Sequence, residues 1–86
     1  MNYRELMPKI KILSGKEIIN IFEKFDFNIA KQSGSHIKLR RDINGLKNIL
    51  TIPNHSELGK GTIKAIYNQG LKYISETELK NHFYNK

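Results

Sequence analysis

The sequence predicts an α+β fold of two layers, a three-stranded antiparallel sheet with helices packed on one of its faces. Three observations carry this: apolar residues recur at helical spacing over residues 18–25, the period changes to two after Asp26, and a helical stripe returns after residue 61. Strands joined by short turns run antiparallel, and such a sheet covers one face with helices and leaves the other in water. Eighty-six residues with 38% hydrophobic content build a single core. There is no cysteine, so burial has to hold the core together without cross-links.

Residues 1–13 mix Lys, Pro8 and short apolar pieces, and they read as an extended lead-in to one domain over residues 14–86. Met7-Pro8 is an alternative start, with residues 1–6 an extension. Ser14-Gly15-Lys16-Glu17 has capping-box form, in which the Ser hydroxyl takes the N3 amide and the Glu reaches back to the Ser amide. The helix it opens runs to about Phe25, with Ile18, Ile19, Phe22 and Phe25 as the core stripe.

In the first strand Phe27 and Ile29 share one face, and Asn28, Ala30 and Gln32 the other. Ser33-Gly34 turns the chain into His36-Ile37-Lys38-Leu39-Arg40, and Asn44-Gly45 is a strong hairpin signal leading to a strand from Asn48 to Ile52 that stops at Pro53. Residues 54–60 form a loop. A helix then runs from Gly61-Thr62 through Gln69, with Gly70 as its stop, and Ser75-Glu76-Thr77-Glu78 opens a short last helix carrying Leu79 and Phe83.

The formal net charge is +7. From Phe27 to Ile74 the chain holds Lys31, Lys38, Arg40, Arg41, Lys47, Lys60, Lys64 and Lys72 against only Asp42 and Glu57, so the excess belongs to the middle of the chain. Such a field attracts a polyanion, because each phosphate neutralised releases condensed counterions. No apolar run approaches the roughly 20 residues of a membrane span, and the expected setting is cytoplasmic. The three His stand apart and the acids have no ligand spacing, so neither a metal site nor any cofactor is expected.

If Ile37 and Leu39 face the helices, then His36, Lys38 and Arg40 share the open face. RNA cleavage without a metal needs a group that moves a proton and positive charge for the phosphorane. Imidazole is the one side chain that ordinarily titrates near neutrality, which makes His36 the candidate catalytic residue and Lys38 and Arg40 candidate phosphate contacts. Gly59-Lys60-Gly61-Thr62 sets free amides and a Lys at a helix start, where an anion is favoured, so Lys60 and Lys64 are further phosphate candidates. His55 is the candidate second acid or base.

In order and spacing, Gln32-Ser33-Gly34-Ser35-His36 with its basic strand, Ile52-Pro53-Asn54-His55, and Leu58-Gly59-Lys60-Gly61-Thr62-Ile63 resemble the HicA toxins of toxin-antitoxin pairs. The resemblance spans about residues 8–83. It implies a double-stranded-RNA-binding-like α-β-β-β-α fold with a short extra C-terminal helix, which agrees with the order read from the residues. It also implies the toxin of a type II toxin-antitoxin system, a ribosome-independent mRNA endoribonuclease whose catalytic His is His36, and a HicB-like antitoxin covering that face. At Asn68 the chain departs from the family pattern, where similar proteins often carry Arg or Lys. Two other classes fit the residues: a non-catalytic RNA-binding module of the same fold, and an interaction protein whose basic face meets an acidic partner.

Overall fold

The computed structural model describes residues 8–85. The alternative start at Met7 and the extension over residues 1–6 lie outside the described residues. In chain order the elements are β1 (Lys9–Ile10), α1 (Gly15–Glu23), β2 (Asn28–Ser33), β3 (His36–Ile43), β4 (Leu46–Pro53), α2 (Lys60–Gly70), α3 (Glu76–Phe83) and β5 (Tyr84–Asn85). The central sheet has the order β2-β3-β4, all antiparallel, so the expected α+β arrangement of helix, three-stranded meander and C-terminal helices is present. A second, two-stranded sheet joins β1 to β5 and ties the lead-in to the far end of the chain. There the Lys11 amide donates to the Phe83 carbonyl at 2.7 Å, and Leu13 enters the core.

The capping box at α1 forms as its residues require: the Glu17 amide donates to the Ser14 hydroxyl (3.1 Å) and the Ser14 amide to the Glu17 carboxylate (2.9 Å). At the other end Asp26 takes a left-handed φ of 69°. The Phe27 amide donates to the Phe22 carbonyl and the Asp26 amide to the Glu23 carbonyl, the paired bonds of a Schellman close. The same turn brings Phe27 edge-on to Phe22, with ring centroids 5.7 Å apart. At α3, Ser75 again accepts from the N3 amide, but the Glu78 carboxylate accepts the Ser75 hydroxyl (2.9 Å) instead of completing a second reciprocal box.

Ile18, Phe22, Phe27, Leu39, Ile52, Ile63, Leu79 and Phe83 are fully buried in one cluster between the sheet and the helices. Burial of each such side chain contributes about 1.5–3 kcal/mol, which dictates the face every strand residue takes. Both hairpins have two-residue turns. Asn44 (φ 51°) and Gly45 (φ 76°) are both left-handed, as this hairpin type demands, and the first turn is Gly34-Ser35, one residue later than expected, with Gly34 at φ 58°. Gly70 ends α2 for a different reason from the one expected, since its φ is not left-handed. A Cβ there would lie 2.8 Å from Leu79 Cδ2 and 2.9 Å from Phe22 Cε1, so glycine permits α2 to close on α1 and α3.

The strict alternation expected for the first strand does not hold. Ile29 pairs with Leu39 and Lys31 with Lys38, leaving Ala30 as an unpaired bulge residue. A regular strand would set Phe27, Ile29, Lys31 and Ser33 on one face. The bulge changes the face between Ile29 and Lys31, so Gln32 joins the helix side while Lys31 and Ser33 join the open side. Ile29 points to the helix side yet stays 55% exposed, because α1 and α2 pack on β4 and β2 is the uncovered edge.

Arg41 follows Ile37 and Leu39 onto the helix side of β3. Its Nε (3.1 Å) and Nη2 (3.0 Å) donate to Oδ1 of the buried Asn48, its Nη1 to the Phe25 carbonyl (3.1 Å) and its Nη2 also to the Tyr73 carbonyl (3.0 Å). The guanidinium lies over the Phe27 ring, 4.9 Å from its centroid. One side chain thus joins the end of α1, β4 and the turn after α2. Its charge, counted in the basic excess, is spent inside the fold.

Candidate nucleic-acid interface

The face of the sheet away from the helices is built in rows across the strands. Ser33, His36 and Pro53 form one row, Lys31, Lys38 and Thr51 the next, and Asn28, Arg40 and Ile49 the third. Successive rows are about 7 Å apart, from the rise of two strand residues. His36 and Lys38 are exposed while Ile37 and Leu39, between and beyond them, are buried, which is the alternation expected for this strand.

Lys31, Ser33, His36, Lys38 and Thr51 line a shallow cavity of about 120 Å³. No carboxylate is among them. Lys31 and Lys38 sit directly opposite each other on neighbouring strands, a placement in which like charges repel. The arrangement holds an imidazole next to two ammonium groups, with two hydroxyls at the rim. Chemically it can receive an anion and transfer a proton beside it.

Of the residues expected from sequence, His36 and Lys38 meet in this cavity. Arg40 lies one row further along β3, where its Nε donates to both carboxylate oxygens of Asp42 (3.1 and 3.2 Å) in the single salt bridge among the described residues. Lys60 lines a different, larger cavity of about 910 Å³ beside Lys9, Lys11 and Glu17. Lys64 is exposed on α2, in the helix layer. His55 is exposed in the loop after β4 and does not line the His36 cavity, although its backbone is held there: its carbonyl accepts from the Gly15 amide (2.9 Å), and the neighbouring Asn54 amide donates to the Ser35 carbonyl (2.7 Å). Asn68 is exposed, and its neighbour Gln69 accepts from the Thr51 amide on the edge of β4 at 3.5 Å.

Lys31, Ser33 and Thr51 were not singled out by sequence reasoning. A signal for Lys31 exists: counting back from the two-residue turn at Gly34-Ser35 pairs Ser33 with His36 and Lys31 with Lys38, whereas counting forward from Phe27 turns Lys31 the wrong way.

The third histidine, His82, sits on α3 with its ring edge-on to Phe25, centroids 5.4 Å apart. Burial, with the nearby Lys24 and Lys11 charges, lowers its pKa below the ordinary 6.5. Its contribution to stability is therefore intact above about pH 6.5, and it is lost as the pH falls through the lowered folded value, because the unfolded chain takes up the proton first. Melting temperatures measured between pH 7.5 and 5.5 should fall more steeply for the parent than for His82→Gln. Equal slopes would refute this linkage.

The fold and this face define a class: a small double-stranded-RNA-binding-like α+β sandwich whose uncovered sheet face is cationic around a histidine. A family model described as the HicA toxin of bacterial toxin-antitoxin systems matches residues 15–72, about two thirds of the chain, and the chain belongs to that family. It is accordingly a toxin-antitoxin toxin with a cognate antitoxin as partner. No curated protein and no solved structure gave a match. No helix among the described residues is long and apolar enough to cross a membrane.

Proposed function

We propose that this toxin is a metal-independent endoribonuclease acting on mRNA, with His36 as its catalytic residue. The observation that carries the reading is the placement of His36 in the row beside the Lys31–Lys38 pair, with no carboxylate among the described residues lining that cavity. In the reaction, the 2′-hydroxyl oxygen bonds to the adjacent phosphorus and the bond from phosphorus to the 5′-oxygen breaks, leaving a 2′,3′-cyclic phosphate and a 5′-hydroxyl. His36 moves a proton, either from the 2′-hydroxyl as general base or to the leaving oxygen as general acid, while Lys38 steadies the phosphorane charge. A second proton-transfer group from the solvent, a lysine or the His55 loop completes the balance. Arg40, one row along on the same face, contacts a flanking phosphate, and Lys60 and Lys64 in the helix layer add to the long-range positive field that draws RNA in. A HicB-like antitoxin neutralises the toxin by covering the His36 face, which no element among the described residues occupies.

The test is incubation of the purified protein with RNA, and separately with DNA of the same sequence, in excess chelator. RNA should be cut to cyclic-phosphate ends and DNA left whole, and His36→Ala should slow cleavage by roughly 10²–10⁴-fold, the usual weight of a general acid or base. Binding without cleavage in the parent would instead make the chain an RNA-binding module, and loss of cleavage in chelator would remove the metal-independent mechanism.

A further inference from the structure

Lys31 lies outside the basic strand that carries His36, yet the bulge at Ala30 gives it a position in the cavity that Phe27 and Ile29, at the same strand parity, do not share. Cβ atoms of directly opposed strand residues are about 5 Å apart, so the Lys31 and Lys38 ammonium groups can reach one anion together. The fold keeps them opposed without any carboxylate in the cavity, whereas Arg40, one row away, has Asp42 as a counter-ion. A like-charged pair left uncompensated at the edge of a sheet weakens the strand pairing, and an incoming phosphate reverses that repulsion.

Resting on the endoribonuclease reading, we propose that Lys31 is a phosphate-binding residue of the active face, which with Lys38 clamps one RNA phosphate in the row beside His36, in the register that the bulge at Ala30 sets between Ile29 and Lys31. Lys31 acts by binding and orienting the phosphate. His36 keeps the proton transfer.

The bulge supplies an unusually clean test, because two different single-residue deletions each restore a regular strand. Removing Ala30 leaves Ser33, Gln32, Lys31, Ile29 and Phe27 on their present faces, with Lys31 still opposite Lys38. Removing Gln32 also keeps Phe27 and Ile29 on the helix side, but it sets Ala30 opposite Lys38 and turns Lys31 to the exposed edge where Gln32 now stands. Both deletions are made in the His36→Ala chain, so that a single-stranded RNA oligonucleotide stays intact, and binding is measured across a range of NaCl concentrations.

The Ala30 deletion should bind as the His36→Ala chain does, within about twofold. The Gln32 deletion should lose about 0.7 from the slope of log K against log salt, the share of one phosphate contact on a single strand, with roughly a five- to tenfold weaker complex at low salt. Lys31→Ala should repeat that loss and Lys31→Arg restore it, while the melting temperature of Lys31→Ala stays level or rises because a repulsion is relieved. Lys31→Ala answers the question even if a deletion fails to fold. Equal salt slopes for Lys31→Ala and its parent, or no RNA binding by either, would overturn the clamp. Cleavage is scored separately in chains that retain His36: parent RNA left uncut, with the slope change present, would count against the nuclease reading and leave the phosphate contact standing.

Discussion

Arg41→Ala is expected to lower the free energy of unfolding by about 2–4 kcal/mol, although Arg41 belongs to the most basic strand of the chain. The guanidinium makes four hydrogen bonds, to Asn48 Oδ1 twice and to the Phe25 and Tyr73 carbonyls, from a part-buried position over the Phe27 ring. Truncation leaves the amide oxygen of Asn48, a residue only 6% exposed, facing the space the side chain vacated. An unpaired acceptor at such a depth keeps its full desolvation cost, and hydrogen bonds from a charged donor are each worth more than neutral ones. For a domain of this size the loss is roughly 10–25 °C in melting temperature. Arg41→Lys should recover little of it, because an ammonium cannot present a planar fork to three acceptors at once. Urea unfolding of the three proteins measures this directly; a loss below about 1 kcal/mol for Arg41→Ala would show that the clamp is not structural.

Gly15→Ala is the second large effect, and under the proposed endoribonuclease function it should appear in stability and in cleavage together. The Gly15 amide donates to the His55 carbonyl at 2.9 Å, which holds α1 against the loop after β4. A Cβ at residue 15 would run into the Pro53 carbonyl oxygen and stand 2.7 Å from Asn54 Cα, and backbone cannot swing aside as a side-chain end does. Overpacking of this kind costs about 1–3 kcal/mol, or more where nothing yields. The displaced segment is also the neighbour of the proposed active face: Pro53 pairs with His36, and the Asn54 amide donates to the Ser35 carbonyl. Gly61→Ala, where the added Cβ meets open space, is the control, and it should be neutral or slightly stabilising in its helix. Wild-type cleavage and stability in Gly15→Ala would mean that the loop is free to move away from α1.

Much of the candidate site was legible in the residues. The alternation of Ile37 and Leu39 with His36 and Lys38 is enough to assign the open face, since a buried Leu39 and an exposed Lys38 cannot exchange places without emptying the core. The same alternation, carried one step further, puts Arg41 on the inner face, where a cation must find partners; counted only as charge, it looked like part of the basic surface. The partners themselves lie 7, 16 and 32 residues away in sequence, so no local pattern could name them.

What the chain determined by itself is therefore local: the Ser14–Glu17 capping box, the two-residue turn at Asn44-Gly45, a tight turn containing Gly34 whose register the structure sets one residue later, and the face on which His36 and Lys38 stand. These follow from backbone hydrogen bonding, from the positive φ that Gly and Asn tolerate, and from the two-residue period of a strand. Tertiary structure decided which cations remain available and where they gather. The inner face takes Arg41, α2 carries Lys60 and Lys64 into the helix layer, and the bulge at Ala30 delivers Lys31 to His36. The physical reason is that a charge contributes to a binding field only after its nearest partners are settled, and those partners are chosen by strand register and packing between residues far apart in the chain.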